Sequence, residues 1–178
     1  MNRGPVAAAL LLVAACSPQP APSEVEQDAI QAPAAAVATA ASGEPATEPA
    51  GEPQTGLRHV PLTITSASGV HGFGVDVAAT PEQQEMGLMF VKTLAPDRGM
   101  IFPYDPPQPV AFWMKNTLIP LDIIYIRADG TIARITNAKA LDETSLPSGE
   151  PIAAVLEIAG GRAAELGIAP GDKVQWAR

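Results

Sequence analysis

The chain has 178 residues, with 19 acidic against 11 basic side chains, one cysteine and two histidines. That length suits one domain with appendages, and a lone cysteine excludes an intrachain disulfide and a cysteine-based zinc site. The formal net charge is −8, of which residues 57–178 hold −3 (ten basic against thirteen acidic side chains), and so weakly acidic a stretch without a basic stripe argues against a nucleic-acid partner, because phosphate contacts need clustered Lys and Arg.

The N-terminus opens with Arg3 and an apolar stretch from Val6 to Ala15. Such a run is too short to span a bilayer and has the layout of a secretory signal. It ends in Val13-Ala14-Ala15-Cys16, which resembles the lipobox of bacterial lipoproteins. There small side chains admit the signal peptidase, and the thiol accepts the lipid as a thioether. Residues 1–15 are therefore expected to be a lipoprotein signal peptide, with lipidated Cys16 as the membrane partner. By resemblance to known lipoprotein sorting preferences, Ser17 after the cysteine favours the outer membrane, so the expected location is lipid-anchored on the periplasmic face of a bacterial envelope.

Residues 16–56 read as a disordered tether. From position 17 they hold seven prolines, eleven alanines and six acidic residues, with no basic or aromatic side chain. That composition buries too little apolar surface to offset the entropy of ordering it. All eight aromatic residues lie beyond it, so the folded domain is expected at 57–178.

Within the domain, "HVPLTITSASG" and "FGVDVA" alternate apolar and polar residues as strands do. "TPEQQEMGLMF" changes period: Thr80 is placed to cap a helix, Pro81 suits its first turn, Gln83 completes a capping box and Gly87 stops it. "RGMIFPY" is a short strand and "DPPQP" a rigid loop. "VAFWM" and "IPLDIIYI" predict strands on either side of a Lys115-Asn116-Thr117 step. "TIARITNAKA", "IAAVLEIAGG" and "KVQWA" predict further strands, with a short helix "RAAELG" before the last. About eight short strands and one or two short helices predict a mainly β fold, a compact β-sandwich or partly open barrel.

His59 and His71 belong to no metal-binding spacing, and no nucleophile or phosphate-loop motif is present, so neither metal nor cofactor is expected. The polar residues inside the apolar run 111–126 are the main candidates for a site. In a strand, Phe112 and Met114 would share one face, with Trp113 and Lys115 on the other. On one reading Trp113, Lys115, Asn116 and Asp122 form a recognition patch or acid/base group near the Pro-rich loop, joined by Glu157 and Tyr104. On the other, Asn116 and Thr117 build a bend, Asp122 accepts backbone bonds or pairs with Lys115, and Glu157 is a hydrogen-bonding anchor.

Taken in order, "TPEQQEMGLMF", "RGMIFPY", "FWMKNTLIPLDIIYI", "DGTIARI", "VLEIAGG" and "GIAPGD" resemble the blocks of the domain of unknown function family 192, from about residue 60 to the C-terminus. One departure is Val91, where members usually carry arginine. The resemblance implies a compact, mostly β fold, commonly placed behind a secretion or lipoprotein signal. It supplies no reaction, substrate or catalytic set. The expected function is a binding or accessory module of the cell envelope, with an envelope ligand or protein as partner. The alternatives are an envelope hydrolase using Lys115, Asp122 or Glu157, and a purely structural lipoprotein.

Overall fold

The computed structural model describes residues 51–177. The signal peptide, Cys16 and the tether through residue 50 lie outside them. Nine strands and two short helices follow one another as β1 (Arg58–Ser66), β2 (Gly69–Val77), α1 (Pro81–Met86), β3 (Arg98–Gln108), β4 (Ala111–Phe112), β5 (Leu121–Ile126), β6 (Ile132–Ala138), β7 (Leu146–Pro147), β8 (Ile152–Ala159), α2 (Arg162–Glu165) and β9 (Lys173–Trp176). Seven strands form one sheet in the order β6-β5-β8-β3-β2-β1-β9, and β4 pairs with β7 alone. The sheet curls into a half-barrel. Its two edge strands approach at one end, where Ile132 N donates to Asp172 O and Val174 N to Gly130 O, both at 2.8 Å.

The alternation of the strands divides their side chains between two cores. Leu62, Ile64, Val75, Ile101, Ile124, Leu156 and Ile158 point inside the curl. Met100, Phe102, Ile123, Tyr125 and Val155 point outward and are covered by α1 and the loops, together with Met114. Strand β5 is buried on both faces along its whole length, and β8 nearly so, which is why both read as almost unbroken apolar runs. Full burial of each such aliphatic side chain stabilises the fold by roughly 1.5–3 kcal/mol.

The strands number nine where about eight are expected, and of the two expected architectures the sheet takes the partly open barrel, as a curled half-barrel. Two details depart from the sequence expectation. β3 continues through the prolines expected to be a loop, because its register against β8 shifts between Pro103 and Gln108 and its pairing with β2 has already ended at Ile101. Proline is tolerated where no ladder N–H is needed. β2 and β3 are parallel, and the connection that carries α1 supplies the crossover such a pair requires.

Candidate functional site

The expected strand "VAFWM" ends after Phe112, and the chain then turns sharply through residues 113–117. The expected alternation survives: Met114 is fully buried, whereas Trp113 is 46% exposed with Lys115 beside it. Lys115 Nζ lies 5.1 Å from the centroid of the Trp113 ring, within cation–π range. Thr117 Oγ1 donates to Lys115 O, and Thr117 N to Met114 O.

This turn is strained. Phe90 (φ 64°), Asn116 (φ 56°) and Leu141 (φ 59°) are the non-glycine residues with left-handed backbone among those described. They form one hydrogen-bonded cluster, with Phe90 N donating to Asn116 O at 2.9 Å and Leu141 N to Thr117 O at 3.0 Å. Each costs of order 1–3 kcal/mol unless the surroundings enforce it, and such residues gather at functional sites.

The facing wall is α1 and the loop after it. Thr80 caps α1 through Gln83 N, and the Gln83 side chain returns the bond to Thr80 N, as the capping-box spacing predicts. The C-terminal end is closed by a residue from the segment read as tether: Gln54 Nε2 donates to Gln83 O at 3.0 Å and Gly87 O at 2.8 Å. Gly51 lies against the Phe90 ring so closely that a Cβ would come within 2.4 Å of it. The stretch before β1 thus braces this wall.

Between the two walls runs a groove of about 490 Å³, with Met86, Met89, Phe90 and Trp113 as its apolar lining and Glu82, Glu85, Lys115 and Asn116 as its polar one. Asn116 Nδ2 reaches Met89 Sδ at 3.8 Å and ties the walls together. A smaller cavity of about 40 Å³ shares Glu85, Met86, Met89 and Trp113 with the groove and extends to Gln84, Phe102, Thr117 and Glu157. That volume holds two or three water-sized groups, since one needs roughly 10–15 Å³.

Glu157 stands opposite Met100 and Ile123 at the centre of the sheet and is 4% exposed. Among the described residues its carboxyl has no hydrogen-bond partner, and burial alone pushes its pKa up to about 8. It does not act as the hydrogen-bonding anchor expected from the sequence. Near neutral pH it holds a proton, and it becomes a charge acceptor if a cation arrives. Tyr104 is pushed up to about 12, by burial first and then by the nearby Glu157 charge.

The structure separates the other expected members. Asp122 does not pair with Lys115 and does not face the groove. It lies fully buried on the inner side of the sheet and accepts from Gly161 N at 2.9 Å, Ala163 N at 2.8 Å and the Asn137 side-chain amide. Its physical role is to close the entry into α2. Tyr104 lies outside the groove, in a depression with Arg58, Pro103 and Trp176. Trp113, Lys115 and Asn116 line the groove together, and Trp113 also lines the cavity that holds Glu157. Met86, Met89 and Phe90 join them from "EMGLMF", a stretch that signalled only a helix stop. No group of three or more His, Cys, Asp or Glu side chains suited to a metal ion occurs among the described residues.

Residues 62–176 match the family DUF192, described as an uncharacterized ACR. A comparison with curated proteins gives no match. Two solved structures are similar. A protein of unknown function from Novosphingobium aromaticivorans is 51% identical with a TM-score of 0.68, over 74% of this chain and 94% of its own. A proposed transcription regulator from Sinorhizobium meliloti is 40% identical with a TM-score of 0.67, over 69% of this chain and 97% of its own. The chain belongs to the DUF192 family.

Proposed function

We propose that this DUF192 domain is a small-ligand binding module whose site is the groove between α1 and the 113–117 turn, with Glu157 at its floor. The observation that carries the reading is the buried Glu157 carboxyl, which has no hydrogen-bond partner among the described residues. Burying such a group costs stability unless something completes it, and a ligand head group does so. The groove above it has an apolar lining suited to the body of a small molecule.

Binding is favoured over the hydrolase alternative because acid/base work needs two titratable groups within hydrogen-bond reach. Asp122 lies across the sheet, and the Lys115 ammonium sits over Trp113. The purely structural alternative leaves the unpartnered carboxyl and the strained turn without a purpose. Binding to nucleic acid finds little support in a domain whose residues 57–178 hold ten basic against thirteen acidic side chains and no basic stripe. The lipobox-like Val13-Ala14-Ala15-Cys16 supports an envelope role: a periplasmic domain, lipid-anchored at Cys16 in the outer membrane. Cys16→Ser is then expected to move the protein from the detergent phase to the aqueous phase.

The test uses three probes that share one apolar body and differ in head group: n-hexylammonium, n-hexanol and hexanoate. Titrated into the full chain by calorimetry, at least one is expected to bind saturably and to lose its binding in Met89→Lys, which places a charge in the groove. If none binds, the groove is not a ligand site.

A further inference from the structure

We propose that the ligand of this groove carries a primary ammonium head group, seated in the inner cavity against Glu157, with an apolar body lying along Met86, Met89 and Trp113. The inference rests on the binding function proposed above and names its ligand class.

Hydrogen-bond complementarity is the first support. Gln84 spends its amide nitrogen on Ala78 O at 3.2 Å and Pro103 O at 3.1 Å, which leaves its amide oxygen as the free end. Thr117 donates its hydroxyl hydrogen to Lys115 O, so its oxygen is left to accept. Glu157 has no partner at all among the described residues. Apart from the Trp113 indole N–H, the polar side chains around the cavity therefore offer acceptors alone once Glu157 gives up its proton. An ammonium brings three donors and no acceptor.

Charge and size agree with it. Glu82, Glu85 and Glu157 face the groove and its floor, against Lys115 alone. Lys115 is held at the mouth, 5.1 Å from the Trp113 ring, so the groove runs from a cation at the rim to an acid at the base. A carboxylate entering it would meet like charge on Glu82 and Glu85, and at the floor as well once Glu157 ionises above about pH 8. The 40 Å³ cavity admits an ammonium with its first methylene, whereas a trimethylammonium overfills it.

Glu85 from α1 lines the cavity with Glu157, and Tyr104 from β3 and Tyr125 from β5 lie close enough to feel its charge, while Lys115 lines the outer groove only. The two tyrosines are both pushed up to about 12, by burial foremost, and stay protonated throughout the neutral range. Seating an ammonium transfers the Glu157 proton to solvent and leaves a charge pair, so its affinity rises with pH until Glu157 ionises unaided.

The same three probes decide the question. At pH 8, n-hexylammonium is expected to bind at least tenfold more tightly than n-hexanol or hexanoate, and its affinity to fall severalfold at pH 6. Glu157→Gln is expected to bring n-hexylammonium down to the level of n-hexanol in the same variant. Glu82→Gln with Glu85→Gln, both on the exposed rim, should weaken the ammonium probe only a few-fold. Tightest binding by n-hexanol or hexanoate, or an order that survives Glu157→Gln, overturns the ammonium assignment and leaves the binding function standing. Failure of all three probes overturns both.

Discussion

Asp122 and Glu157 sit one register step apart on the neighbouring strands β5 and β8 and face opposite sides of the same sheet. Asp122 accepts two backbone N–H bonds from the entry of α2 and one from Asn137, so its burial is compensated. Glu157 receives none among the described residues and keeps its proton instead. Two buried acids in one sheet thus have unlike roles, one holding the fold and one facing a cavity.

Asp122→Ala is expected to destabilise the protein by about 3 kcal/mol, since it strands the buried Ala163 N–H, the part-buried Gly161 N–H and the Asn137 amide. Urea unfolding reads the change directly. A loss below about 0.5 kcal/mol would mean that water or neighbouring groups replace the carboxylate.

Glu157 has a pKa of about 8 in the folded chain against an ordinary 4.5, so between those values the native state holds a proton that the unfolded state releases. Stability contributed by this group is complete below about pH 4.5 and is lost as pH rises through about 8. The unfolding midpoint is therefore expected to fall between pH 5 and pH 9, and to fall less in Glu157→Gln. An equal slope in both proteins would assign the pH dependence to other groups.

At Asn116 the left-handed backbone sets the order of substitutions. Asn116→Gly is expected to stay within about 0.5 kcal/mol of wild type, and Asn116→Ala to cost about 1 kcal/mol. Asn116→Val should cost more, because a β-branched side chain tolerates this conformation worst. Thermal unfolding of the three variants gives the ranking.

Gln54→Ala removes two hydrogen bonds to the C-terminal end of α1 and is expected to cost about 1–2 kcal/mol. Limited proteolysis should then cut the stretch before β1 sooner than in wild type. An unchanged cutting rate would mean that Gly51 against Phe90 holds the segment unaided.

The parts of this architecture legible in the sequence are those encoded locally. Thr80, Pro81 and Gln83 announce their helix within a few residues, and the alternation in β1 and β2 needs no knowledge of partners. The outward set of Trp113 and Lys115 was legible from parity as well. What could not be read is which distant segments share a side. Lys115 and Asp122 are close in the chain, yet the turn between them and the register of β5 on β8 send them apart. Glu157 and Met89 are far apart in the chain, yet they line one cavity. The parallel pairing of β2 and β3 was hidden for the same reason, since α1 is too short to advertise a crossover.

β5 and β8 are covered on both faces, and the inner core is complete without the layer that carries the groove. That outer layer covers the outward face of the frame through Leu88 and Met114 but supplies none of the pairing of its seven strands. Residues 86–91 and 113–117 are then free to part from each other by local opening, at a free energy well below that of global unfolding. A molecule seated over Glu157 would leave when this layer opens, not when the protein unfolds. Its residence time would be set by a few loop contacts, Asn116 to Met89 and to Phe90 among them, and substitutions there would change the off-rate while leaving the barrel intact.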